Sequence, residues 1–108
     1  MEISFDNKQL RNLCEDDHES ARAYGLALAG KLKARLSDIE AVDNVSELPV
    51  GLPREVVEGG LDMAVDLAND TRLIFRANHK VIPKLDSGAV DWARVSRVKV
   101  LRIERDNG

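Results

Sequence analysis

Cysteine is nearly absent: Cys14 stands alone among 108 residues, so no internal disulfide can form and no cysteine-rich zinc site exists. Histidine is scarce as well. His18 and His79 fall in different predicted elements without HExxH or any other ligand spacing, so no metal site is expected and no cofactor is called for. Aromatic residues make up 4% of the chain, too few for the stacking platform that single-strand binders of the RRM or OB type use. GxxxxGK[ST], GxGxxG and GxSxG are all missing, which removes the usual support for an ATPase, a dinucleotide enzyme or an esterase. No apolar run approaches the roughly 20 residues that span a bilayer. The opening MEISFDNKQL lacks a basic region followed by an apolar run and a cleavage site. A cytoplasmic protein with no membrane partner and no secretory signal is therefore expected.

What is present is an ordinary globular composition, 44% hydrophobic and 32% charged, which excludes a disordered chain. At this length the expectation is a single domain over residues 1–108, with one helix layer on one sheet. The net charge of -3 argues against a simple coater of nucleic acid. Its distribution is uneven. Residues 1–50 hold six basic against ten acidic side chains, a balance of -4, whereas Arg72 to Arg105 hold nine against three, a balance of +6. Such asymmetry can focus a positive field on one face; equally, strands and loops can simply wear solvated Lys and Arg.

EISF predicts a short strand, and Asp6 or Asn7 can cap the brief helix after it, with Leu10, Leu13 and Cys14 on one side. From Glu19 to about Ala41 a longer helix is predicted, because Ala21, Gly25, Leu28, Leu32, Leu36 and Ile39 recur at spacings of three, four and seven. The segment VDNVSELPVGLPR, with two prolines and a glycine, reads as a connector. Leu61, Met63, Val65 and Leu67 then alternate with Asp62, Ala64 and Asp66 as a half-buried strand. AND turns the chain, and TRLIFRA returns with Leu73 and Phe75 on one face and Arg72, Ile74 and Arg76 on the other. A long loop from about His79 to Ser96 carries Pro83, Gly88 and Trp92. RVKVLRIER closes as an interior strand, Val98 and Val100 pointing one way and Leu101 and Ile103 the other. The expected fold is α+β: two N-terminal helices packed on a twisted, mostly antiparallel four-stranded sheet.

The chemistry on offer is arginine on a sheet. Cys14 reads as a buried inert thiol, and Tyr24 sits in the long helix, away from the basic strands. Arg72, Arg76, Arg102 and Arg105 can supply cations, because guanidinium groups bind phosphate bidentately and stabilise charge building on phosphorus. RNA cleavage through the 2'-hydroxyl needs a base, an acid and cations around the phosphate. Glu104, Asp106 and either histidine are candidates for the proton, and spacing singles out none of them. Trp92 reads first as an anchor over the core edge and second as an indole that stacks on a base.

The EISF opening, KLKARL (Lys31 to Leu36), VDLANDTRLIF, DSGAVDW (Asp86 to Trp92) and VLRIE (Val100 to Glu104) follow one another in an order and spacing that resembles the RelE/ParE superfamily of small bacterial toxins. Within it, the chain is most similar to the HigB-like plasmid maintenance system killer branch, over essentially the whole length. The resemblance implies a toxin that cuts mRNA, commonly in the ribosomal A site, as an endoribonuclease of the mRNA interferase kind. It also implies a cognate helix-turn-helix antitoxin, with which the toxin forms a hetero-oligomer. Arg72 matches a family arginine placed to hold phosphate. On the toxin reading Arg105 joins Arg72 in stabilising phosphate charge, Asp106 or Glu104 is the substitute proton carrier, and Arg54, Arg76, Arg102 and Trp92 are the candidate substrate-binding residues. The chain also departs from the pattern. Where the family has a histidine- and lysine-bearing segment before the hairpin, PREVVEGGLD has Arg54 as its one basic residue. Where the family ends on an acidic residue, tyrosine and histidine, this chain has Glu104, Arg105, Asp106, Asn107 and Gly108. Asn107 cannot transfer a proton as histidine does near neutral pH. The site is thus a degenerate one. The alternatives are an inactive toxin homologue acting as a protein-binding or regulatory module and, less favoured, a ParE-like gyrase inhibitor.

Overall fold

The computed structural model describes residues 1–106; Asn107 and Gly108, which bear on the missing proton carrier, lie outside them. The elements are β1 (Glu2–Phe5), α1 (Lys8–Glu15), α2 (Asp17–Ala41), β2 (Arg54–Glu55), β3 (Asp62–Ala68), β4 (Thr71–Ala77) and β5 (Arg97–Arg105), with 3-10 turns at Val45–Glu47 and Trp92–Arg94. The α+β class and the two helices agree with expectation. The strand count does not: five strands lie in the order β1-β5-β4-β3-β2 among the described residues. The added strand is β2, where the connector's end pairs Arg54 with Ala64 and Glu55 with Met63. A two-residue edge ladder is too short to show the alternation that marks a strand in sequence. Three pairings are antiparallel, while β1 runs parallel to β5, so β5 is interior as expected.

Side-chain parity explains the core. On β3 and β4 the residues Met63, Val65, Leu67, Leu73 and Phe75 turn to the helices and are buried, as alternation predicts. β5 departs from its predicted parity. Ile74 pairs with Arg102 and Phe75 with Val100, so Leu101 is the extra residue of a β-bulge. The inserted residue shifts the phase of everything after it. Val98, Val100 and Ile103 therefore all join the core, and Leu101 does not.

Asn7 rather than Asp6 caps α1, accepting the Leu10 N–H at 2.8 Å. Asp16 accepts from His18 and Glu19 and starts α2, two residues before the predicted boundary. The long helix is not straight, because Gly25 has φ 82° and ψ 161°. Lys33 Nζ meets Asp17 Oδ2 at 2.9 Å, although sixteen residues of straight helix would separate them by about 24 Å. The two arms thus fold sharply about Gly25, and the predicted continuous stripe from Ala21 to Ile39 is interrupted. The second arm carries the burial through Leu28, Leu32 and Ile39. None of the helices in the described residues is long and apolar enough to cross a membrane.

The long loop is ordered by its own chemistry. Lys84 and Val90 form a bridge around a tight turn, and Val90 and Val95 reach the core. His79 Nε2 accepts the Ser96 N–H at 3.0 Å and ties the base of the loop together.

Candidate functional site

Alternation that sends one set of side chains to the helices sends the other to the opposite face of the sheet. There β3 offers Asp62, Ala64 and Asp66, and β4 sets Arg76, Ile74 and Arg72 against them. β5 adds Glu104 opposite Arg72, Arg102 opposite Ile74 and, past the bulge, Lys99 opposite Arg76. Arg54, Glu55, Arg72 and Glu104 rim a shallow cleft floored by Ala64 and Ile74, both buried.

Each arginine of this face meets a carboxylate. Arg72 directs Nη1 to Asp106 Oδ1 at 3.1 Å and Nη2 to the same oxygen, and its Nε lies 3.9 Å from Glu104 Oε2. Arg102 Nε donates to the other Glu104 oxygen at 2.9 Å. Arg76 grips both oxygens of Asp62, at 2.7 and 3.3 Å. The hydrogen bonds and charge of Asp62 push the Arg76 pKa above the ordinary arginine value. Arg54 donates to Asp66 Oδ1 and to the Leu52 carbonyl, both at 2.9 Å. Asp66 is itself fixed through its backbone. Its N–H donates to Gly51 O at 2.7 Å, and its carbonyl accepts Arg35 Nε at 2.9 Å.

Of the residues assigned to catalysis from the sequence, the structure brings Arg72, Glu104 and Asp106 together and leaves Arg105 apart. Arg105 pairs with Thr71 in the ladder, one position out of phase with Arg72, so it points to the helix side. There its Nε lies 3.8 Å from Asp70 Oδ2. Its charge also reaches Tyr24, which corrects the expectation that Tyr24 lies away from the basic strands. Burial raises the Tyr24 pKa, the neighbouring Cys14 adds to the rise, and Arg105 opposes it. Arg54, Arg76 and Arg102 share the open face, whereas Trp92 packs against the core and donates its indole N–H to Glu55 Oε2 at 3.1 Å. That is the geometry of an anchor. Neither histidine lines the cleft: His79 holds the loop, and His18 lies in the exposed first turn of α2.

The carboxylates Asp62, Asp66 and Asp106 change the electrostatics, and charge counted along the chain does not show them as counter-ions. They lie just outside the Arg72–Arg105 stretch whose balance is +6, and strand pairing and the chain's turn past β5 carry them back onto it. A signal existed. Counting outward from the AND turn places Asp66 opposite Arg72 and Asp62 opposite Arg76.

No family model matches the chain, and no curated protein matches it. A solved structure described as a YoeB/ParE toxin from Agrobacterium tumefaciens is similar over 99% of this chain and 100% of that chain, with a TM-score of 0.56 at 10% sequence identity. The chain therefore has a toxin-like fold of the YoeB/ParE kind. At that identity the likeness carries the arrangement of the backbone and leaves the chemistry to the side chains of this chain.

Proposed function

We propose that this chain is the toxin component of a toxin-antitoxin pair, of the HigB-like branch, and that its inherited reaction is cleavage of translated mRNA on the ribosome. One observation carries the proposal: Arg72, the arginine matched to the family's phosphate-holding position, lies at a cleft on the open face with Glu104 beside it and Arg54 across from it. In such a site a phosphodiester sits on Arg72, with Arg54 and Arg102 flanking it. Glu104 accepts the 2'-hydroxyl proton as that oxygen attacks phosphorus. The bond from phosphorus to the 5'-oxygen breaks, a 2',3'-cyclic phosphate remains, and water protonates the departing oxygen. Without a histidine or tyrosine at the cleft the acid step has no strong donor, so cleavage is slow.

The test is induced expression with transcript mapping. Growth arrest and transcripts truncated on ribosomes are expected, and Arg72→Ala should relieve both. Full toxicity of the Arg72→Ala protein would reject the site. Inhibited DNA supercoiling with intact mRNA would point instead to gyrase.

A second reading has its own observation. A groove runs beside β1 between α1 and the second arm of α2, floored by Ile3, Phe5, Cys14 and Leu36 and edged by Glu2, Glu15, Glu40 and Lys33. Together with the self-paired arginines, it favours a catalytically silent homologue whose work is to bind a helix-turn-helix antitoxin. Tight complex formation with the product of the neighbouring gene, and no growth arrest from the free chain, would select that reading over the enzyme.

A further inference from the structure

Asp106 occupies the end of the Arg72 guanidinium, and Glu104 stands off its Nε side. The two terminal nitrogens of Arg72 converge on one oxygen of Asp106 while Nε is turned to Glu104. The side chain is only 23% exposed, so a phosphate that takes the terminal pair of N–H groups replaces Asp106 rather than adding beside it. The two carboxylates differ in how firmly they are held. Glu104 lies within β5, 39% exposed, and also binds Arg102. Asp106 lies past the last ladder pair and is 58% exposed. Its carboxylate has Arg72 as its partner, and its N–H donates to the Asp70 carbonyl at 2.8 Å. That backbone bond to the β3–β4 turn delivers the side chain to Arg72. Arg105, on the other side of the strand, faces the Asp70 carboxylate and steadies the same turn.

We propose that Asp106 is an internal counter-ion that occupies the phosphate position on Arg72 and must leave before a phosphodiester binds. The inference rests on Arg72 being the anion-binding group of the proposed function, and it gives Asp106 a role other than proton transfer. A carboxylate and a phosphate oxygen are alternative acceptors for the same pair of N–H groups, so Asp106 sets the threshold for entry. An exposed ion pair of this kind shifts an equilibrium by up to about fivefold, enough to weaken binding without closing the site. Removing one partner of a desolvated pair costs far more, because the other charge is left buried and unpaired, but the exposure of Asp106 excludes that class.

The experiment titrates inorganic pyrophosphate, and separately a short single-stranded RNA, into the wild-type chain, Asp106→Asn, Asp106→Glu and the double variant Arg72→Ala/Asp106→Asn. Isothermal calorimetry gives the affinity, and circular dichroism checks the fold of each variant. Asp106→Asn should bind both probes about three- to fivefold more tightly than wild type, by the worth of the displaced pair. Asp106→Glu keeps the charge and should stay within about twofold of wild type, less than half a pair's worth, and the gain should vanish in the double variant. Unchanged affinity of Asp106→Asn, or a gain that persists without Arg72, overturns the inference. Growth assays on the same variants separate it from the proposed function. A gain in anion affinity with no toxicity in any variant upholds the counter-ion and rejects the toxin.

Discussion

Cys14 shows how far one residue can be read from its neighbours. Its place on the apolar side of a short helix already marked it as inert, and in the structure it is buried beside Tyr24. Burial, reinforced by Glu15, pushes its thiol from 9.0 up to about 11, and burial raises the Tyr24 hydroxyl from its ordinary 10.0 in the same direction. In the unfolded chain both groups lose their protons sooner than in the folded one, so the folded state binds more protons across the alkaline window. Their contribution is complete below pH 9.0 and declines as the pH rises toward about 11. The urea midpoint should therefore fall through that window in the wild type. Cys14→Ala should flatten the decline and Tyr24→Phe should flatten it further; a wild-type midpoint constant across the window would show that neither group is held protonated by the fold. The location of Tyr24 was not legible, because it depends on the helix turning beside the end of β5.

Elements with a period were legible, and elements set by a single backbone event were not. β3 and β4 carry strict alternation, and their faces follow from it. β2 has two residues and hence no period, the bulge at Leu101 reverses parity without altering composition, and the fold of α2 depends on one glycine within an otherwise helical stretch. Gly25 makes this testable. Its backbone lies at φ 82° and ψ 161°, a region that residues bearing a Cβ rarely adopt. A Cβ added there meets nothing within 4 Å, so the cost of Gly25→Ala is conformational and free of any clash. It should destabilise the chain by about 1–3 kcal/mol. Ala also favours the straight helix that would pull Lys33 from Asp17. Chemical denaturation measures the loss, and an unchanged midpoint would mean that the arms do not need this backbone.

At the scale of the whole molecule, the sequence supplies the residue types of the candidate face and leaves its field open between a focused positive face and solvated charge. Arg54, Arg72, Arg76 and Arg102 do share a face, yet counting charge along the chain made that face basic, whereas counting across the sheet finds Asp62, Asp66, Glu104 and Asp106 paired with them. On a helix electrostatic neighbours lie within three or four residues in sequence, whereas across strands they can lie far apart along the chain. The consequence appears in the salt dependence of RNA binding. A cationic surface that neutralises phosphates releases their counter-ions, and each contact steepens the plot of log K against log salt by about 0.7 for single strands. Four free arginines would give a slope of about -3 on that basis. On this face each arginine that takes a phosphate releases an internal carboxylate, which recovers a cation from solution and cancels part of the gain. The wild-type slope for a short single-stranded RNA should therefore be shallower than about -2. Replacing Asp62, Asp66 and Asp106 together by Asn should steepen it by about one contact or more. A wild-type slope near -3, unaltered by those replacements, would mean that the carboxylates stand aside without cost and that the face behaves as the basic patch suggested by the chain alone.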